Sequence, residues 1–163
     1  MRNQIRTVLP ALRRFALSLT GNLADADDLL QSTVERLLSR SVPADTELAP
    51  WAFKICRNLW IDQHRAAKVR QRAAANPELQ CGNSFDNEAQ VTALLSLREV
   101  EEAMQRLPEE QRLVLSLIAI QDLSYKEAAA ILGVPKGTIM SRLARARSKL
   151  VSEFNRDSAG ASA

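Results

Sequence analysis

Ile5, Val8, Leu9, Leu12, Phe15, Ala16 and Leu19 recur at intervals of three and four residues, the spacing that lines one face of an α-helix. Thr20-Gly21-Asn22 interrupts this stripe. A second helix follows, with Leu23, Ala26, Leu30, Val34 and Leu37 as its expected apolar side. Asp25, Asp27 and Asp28 lie near its start, where the helix dipole favours negative charge. The pattern then breaks over residues 41–50, where Pro43, Asp45, Thr46 and Pro50 predict an extended loop. From about Trp51 to about Arg70 helical periodicity returns. Trp51, Ala52, Ile55, Cys56, Leu59 and Trp60 share one broad face, while Lys54, Arg57, Arg65, Lys68 and Arg72 fall in a stripe about 80° wide on the other. One side is suited to packing and the other to phosphate.

Residues 71–90 have little periodicity and contain Asn76-Pro77 and Cys81-Gly82-Asn83-Ser84, the composition of a tether. Helical spacing resumes with Val91, Leu94, Leu95, Leu97, Val100, Met104 and Leu107. Leu107-Pro108-Glu109-Glu110 ends that helix and begins another, which carries Leu113, Val114, Leu117, Ile118 and Ile120. The expected fold class is all-α: two small helical domains joined by a flexible linker. The boundaries are an N-terminal domain over 1–72, a linker over 73–92, a C-terminal domain over 93–154 and a disordered tail over 155–163. Aromatics are only 4% of the chain, and strong helix formers dominate it, which agrees with helices throughout.

The most specific local pattern lies near the end. Ser124-Tyr125-Lys126-Glu127 has the spacing of a capping box, and a short alanine-rich helix runs from it to about Leu132. Gly133 supplies a tight turn, and a further helix starts near Pro135 or Lys136. Ala129, four residues before Gly133, provides the small side chain that two crossing helices need. This is the pattern of a helix-turn-helix. In its second helix Ile139, Leu143, Ala146 and Leu150 face one way, and Gly137, Ser141, Ala144 and Ser148 face the other. Small residues there allow close approach to a major groove. Ser141 and Arg145 are placed for base edges, Arg145 with two hydrogen bonds to a guanine. Arg142, Arg147, Lys149 and Lys136 flank them and suit phosphates.

Net charge, +3, says little, but its distribution says more. An acidic block around Asp25, Asp27 and Asp28 precedes the basic stripe of the long helix. A second acidic stretch precedes the basic block Lys136–Lys149. Two basic segments separated by acidic ones imply two contacts with a polyanion and a different partner for the acidic parts. No apolar stretch approaches membrane-spanning length, so the expected location is the cytoplasm, with no membrane partner. Cys56 and Cys81 lack neighbours at metal-ligand spacing, so neither a zinc site nor a disulfide framework is expected. Cys56 falls on an apolar face and reads as core, whereas Cys81 lies in the tether. His64 is the sole histidine, and no glycine loop for phosphates is present. Nothing here implies a cofactor, a metal or an enzyme.

These segments carry a family resemblance. Leu123-Ser124-Tyr125-Lys126-Glu127-Ala128-Ala129 through Gly133-Val134-Pro135-Lys136-Gly137-Thr138-Ile139-Met140-Ser141-Arg142-Leu143-Ala144-Arg145-Ala146-Arg147 closely resembles the C-terminal DNA-binding domain of the extracytoplasmic-function sigma factors. Asp27-Asp28-Leu29-Leu30-Gln31 and Trp51-Ala52-Phe53-Lys54-Ile55-Cys56-Arg57-Asn58-Leu59-Trp60-Ile61-Asp62 resemble their N-terminal domain, and the run from Leu9-Pro10 to Gly21-Asn22 is similar to the general-stress branch. The resemblance implies that Asp25, Asp28 and Gln31 dock on the clamp helices of core RNA polymerase. It implies that Lys54, Arg57, Asn58, Arg65 and Lys68, with the 41–50 loop, bind the opened minus-ten promoter element. A flipped base would enter a pocket lined by Asn58. Lys136, Thr138, Ser141, Arg142, Arg145 and Arg147 would read the minus-thirty-five duplex. An anti-sigma factor, released under stress, is the implied regulator. Met140 and Ser32 depart from the family pattern, which usually has a base and Glu there. The rivals are a sigma mimic that sequesters an anti-sigma factor and an operator-binding regulator. The first should lose its basic faces, and the second leaves the acidic helix and the Asn58 stripe unexplained.

Overall fold

The computed structural model describes residues 2–74 and 91–160, and the side chains of all of these except 91–96 and 157–159. Every regular element among them is helical: α1 (Arg2–Thr20), α2 (Leu23–Ser39), α3 (Leu48–Ala74), α4 (Val91–Arg106), α5 (Glu109–Leu115), α6 (Tyr125–Leu132) and α7 (Lys136–Gly160). A π-helical turn, Ser116–Ile120, extends α5. Most of the tether expected over 73–92, with Cys81, lies outside the described residues. So does the end of the tail, 161–163.

The short linkers are built from backbone chemistry. Gly21 takes φ +78°, in the left-handed region that glycine enters without strain, and its amide closes α1 on the Leu17 carbonyl at 2.9 Å. Asn22 then caps α2, its Oδ1 accepting from the Asp25 amide at 2.8 Å. Ahead of α6, Ser124 Oγ accepts from the Glu127 amide at 3.2 Å while the Glu127 carboxylate accepts from the Ser124 amide at 2.7 Å. The Ser124 amide, and then the Ser124 hydroxyl, which also donates to the carboxylate at 2.8 Å, hold the Glu127 carboxyl below its ordinary pKa. Gly133 at φ +66° ends α6 and sets the angle to α7. The capping box, the glycine turn and the start at Lys136 all match the sequence expectation.

α1, α2 and α3 pack as one unit. Leu12, Phe15, Ala16 and Leu19 meet Ala26, Leu29 and Leu37 of α2 and Ala52, Phe53, Ile55 and Cys56 of α3. Phe15 and Phe53 meet edge to face at 5.2 Å. α2 is rotated from its expected register: Leu29 and Thr33 are fully buried, whereas Leu23 is 59% exposed. Burying a leucine contributes roughly 2 kcal/mol, a gain made at Leu29 and not at Leu23. Thr33 is admitted because its hydroxyl donates to the Leu29 carbonyl at 2.7 Å. Burial pushes the Cys56 thiol up to about 12, against a smaller opposing effect of the Thr33 hydroxyl, so Cys56 is core as expected.

In the second unit Leu107, Leu113, Val114 and Leu117 pack with Ala128, Ile131 and Leu132 of α6 and Ile139, Leu143 and Ala146 of α7. Leu97 and Val100, expected in the core, are exposed. α3 begins at Leu48, earlier than expected, because Pro50 sits in the first turn, where its missing N–H has no helical partner to lose. α7 continues to Gly160, into the segment expected to be a disordered tail. After Gly137 no proline or glycine occurs in it until Gly160, and Glu153 pairs with Arg106 at 2.8 Å.

The two units share one continuous core. Arg112, only 3% exposed, lies at their junction. Its guanidinium donates to the carbonyls of Met104, Gln105 and Leu107 at 2.9, 2.6 and 3.2 Å, and to Gln105 Oε1 at 3.1 Å. It also reaches the Leu19 carbonyl of α1 at 3.0 Å and lies 5.4 Å from the Trp60 ring centre. His64 stacks on Trp60 at 4.8 Å. Burial, then the charges of Arg112 and Lys68, hold His64 below its ordinary 6.5, against the opposing pull of Glu109.

Replacing Ser124 with alanine should lower stability by about 1 kcal/mol in urea denaturation, without altering the slope. The single histidine gives one imidazole resonance to follow by NMR. His64 should titrate below 6.5, so its contribution to folding stability is fully present above pH 6.5 and is lost progressively as pH falls beneath it.

Candidate nucleic-acid and polymerase interfaces

The exposed side of α2 carries Asp25, Asp28 and Gln31 within about 120° of one another, opposite buried Ala26 and Leu37. Asp25 accepts from Asn22 Nδ2 at 2.7 Å, and Gln31 donates to Glu35 at 3.2 Å. Asp27, the remaining acid of the first turns, is paired with Arg13 at 3.1 Å. Leu38 lies 55% exposed near the end of the same helix. A polar acidic face with an apolar edge is suited to a protein partner with basic residues.

On α3 the stripe divides. Lys54, Asn58, Arg65 and Lys68 are exposed, whereas Arg57 is half-buried. Arg57 Nη1 donates to Asn58 Oδ1 at 3.1 Å, which fixes the amide so that its nitrogen is free to donate outward. Arg57 Nε is buried without a hydrogen-bond partner among the described residues. Burial, and then the neighbouring Arg65, lower the pKa of Arg57, with Glu109 opposing and Arg142 adding to the effect. Arg65 reaches across to Glu109 of α5 at 3.1 Å. The basic stripe therefore meets the second unit at one end and solvent at the other.

On α7 the expected reading face is open. Lys136, Gly137, Ser141, Ala144, Arg145, Arg147 and Ser148 are exposed, with Thr138 half-buried, while Ile139, Leu143 and Ala146 are buried behind them. Ser141 Oγ donates to the Thr138 carbonyl at 3.1 Å, leaving its lone pairs outward. Ala144, Arg145, Ser148 and Lys149 line a shallow concavity with Ser152, Arg156 and, at its far end, the acid Glu153. A helix fits B-form DNA through such a surface, small residues at the centre and cations at the rim. Arg142 differs from the rest: it turns toward α5, 3.4 Å from Glu110, into a groove shared with Arg57 and Arg65.

Sequence reasoning passed over Arg112. A cation inside the apolar stripe of Leu113, Val114 and Leu117 was the available signal, since a charged side chain is buried only when its donors are met.

Among described residues no helix is long and apolar enough to cross a membrane, and no three acidic, histidine or cysteine side chains group as metal ligands.

Comparison with known proteins matches these two units separately. Residues 4–70 match the model of Sigma-70 region 2, and residues 97–150 match that of Sigma-70 region 4. The ECF RNA polymerase sigma factor EcfG of Rhodopseudomonas palustris is 39% identical over 152 residues, covering 92% of this chain and 82% of that protein. The ECF sigma factor SigM of Bacillus subtilis is 34% identical and covers 88% of each. Among solved structures, the sigma factor RpoE of Bartonella quintana, in complex with the anti-sigma factor NepR, superposes with a TM-score of 0.78 at 31% identity over 94% of this chain and 96% of that one. The helices, their order and their two basic faces, with identity held over most of both chains, place this protein in the extracytoplasmic-function family of RNA polymerase sigma factors.

Proposed function

We propose that the protein binds core RNA polymerase through the α2 face and directs promoter-specific initiation by two contacts with DNA. One observation carries this reading: both basic faces are retained on separate units, in the family's order, with Asn58 and Arg145 exposed. Lys54, Asn58, Arg65 and Lys68 would hold the opened minus-ten strand. Asn58 would donate to a flipped base from an amide already fixed by Arg57. Ser141 and Arg145 would read the minus-thirty-five duplex, with Lys136 and Arg147 on phosphates. Arg142 requires movement away from Glu110 before it can join them.

The chain itself supplies recognition, and nucleotide chemistry belongs to the polymerase. Its place of action is the cytoplasm. RpoE, which this chain matches over nearly its whole length, is seen in complex with an anti-sigma factor. A comparable partner is the regulator proposed here. A sigma mimic is disfavoured because the α7 reading face is intact.

Run-off transcription with bacterial core polymerase and a promoter library tests the reading. Discrete transcripts should appear and should fall sharply with Asn58→Ala while binding to minus-thirty-five duplex persists. Arg145→Ala should lose about 1–3 kcal/mol of discrimination at one base pair of that duplex. A chain that neither binds core nor starts any transcript contradicts the proposal.

A further inference from the structure

Ser141, Arg145, Lys136 and Arg147 would meet DNA through hydrogen bonds or charge, yet α7 also exposes a side chain suited to neither. Met140 is 51% exposed. It and Val151 are the large apolar side chains left open among the described residues of α7, and Val151 lies about three turns further on. The core has no use for Met140, because Ile139, Leu143 and Ala146 supply the buried stripe. At 100° per residue it stands about 90° from that stripe, between Ala144 on the groove side and Lys136 and Arg147 on the other. A lone exposed apolar side chain is ordinary on a protein surface. This one lies near the N-terminus of a recognition helix, the part that enters the major groove.

Its surroundings leave it free to project. A Cβ added at Gly137, three residues before, would meet nothing within 4 Å. Ala144, one turn after, is exposed and ends at its Cβ. Arg142 is drawn away toward Glu110 at 3.4 Å. Methionine has a flexible stem, a polarisable sulfur and no hydrogen-bond donor. The apolar feature that the major groove offers such a side chain is the C5-methyl group of thymine. Cytosine has no methyl there, and a purine edge pressed against Met140 would lose water without gaining a partner. The thymine methyl projects from its ring on the side of its own backbone. A residue between the groove side of α7 and the phosphate-binding Lys136 and Arg147 is held at that place.

We propose that Met140 is a specificity-determining residue: it packs on the methyl group of one thymine in the minus-thirty-five element and so selects a T·A pair at that position. The inference rests on the reading of α7 as the minus-thirty-five helix. Met140 adds an apolar contact to the hydrogen bonds of Ser141 and Arg145. Discrimination at that pair is insensitive to salt, unlike the phosphate contacts that flank it.

The test uses the full chain assembled with core polymerase on a promoter duplex chosen by run-off transcription. Each thymine of its minus-thirty-five element, on either strand, is replaced in turn by deoxyuridine, which removes the methyl and leaves base pairing unchanged. One such replacement should weaken holoenzyme binding about fourfold, the worth of one methyl group taken out of water. Met140→Ala should bind thymine and deoxyuridine equally at that position. Met140→Lys should also lose the distinction, and its log affinity should fall more steeply with log salt, by roughly one unit of slope. Both variants should keep the parent's urea midpoint, since Met140 lies outside the core. The absence of any thymine whose methyl matters, or a distinction that survives in Met140→Ala, overturns the proposal. If Arg145→Ala also leaves binding to that duplex unchanged, the reading of α7 has failed along with it.

Discussion

The guanidinium of Arg112 is a cation buried to 3% exposure, and the rest of the molecule is arranged to make that tolerable. Taking such a charge out of water costs several kcal/mol unless each donor finds an acceptor. The acceptors are carbonyls at the C-terminal ends of α1 and α4, where helix carbonyls lack helical partners and the dipole is negative. One side chain thus satisfies two helix ends and neutralises part of their field. Arginine suits this position because its rigid fork presents five donors in one plane, which lysine lacks. Since α1 belongs to the N-terminal unit and α4 to the C-terminal one, the same charge sets how the two units meet.

That junction determines which functional groups are open and which are covered. The α2 face, Asn58 and the Ser141–Arg145 surface of α7 remain exposed. Arg57, Arg65 and Arg142 converge on the groove between units, held by Glu109 and Glu110. Two carboxylates at the start of α5 lie against these cations, of which Arg65 stays mostly exposed. They serve the helix dipole at their own N-terminus and the neighbouring arginines at once. Exposed pairs of this kind contribute little each, so the groove is closed mainly by the apolar contacts beneath them.

The helix-turn-helix was legible because each of its signals is local. Ser124, Glu127, Gly133 and the α7 spacing act within a few residues of one another. The all-helical class was equally visible from periodicity, and the split into two units from its loss over residues 71–90. The register of α2 was not. Leu23 and Leu29 compete for one core, and the burial of Thr33 depends on a hydrogen bond within its own helix that a hydropathy pattern does not register. Arg112 left only the mark of a cation within an apolar stripe, because its partners are backbone carbonyls, which side-chain spacing does not register. Leu97 and Val100 have helical spacing but lie exposed. Arg142 has the position of a phosphate contact on α7, and only the packing of α5 against it shows the prior claim of Glu110.

The central claim is that one chain places α3 and α7 on two different promoter elements at the same time. The direct measurement is photo-cross-linking from an initiation complex on a single promoter, with the reactive group at Asp62 of α3 or at Ser148 of α7, both exposed beside the proposed contacts. The account predicts that the α3 probe labels the non-template strand of the minus-ten element and the α7 probe labels the minus-thirty-five duplex. Labelling of one element by both probes, or labelling from α7 alone, would contradict it.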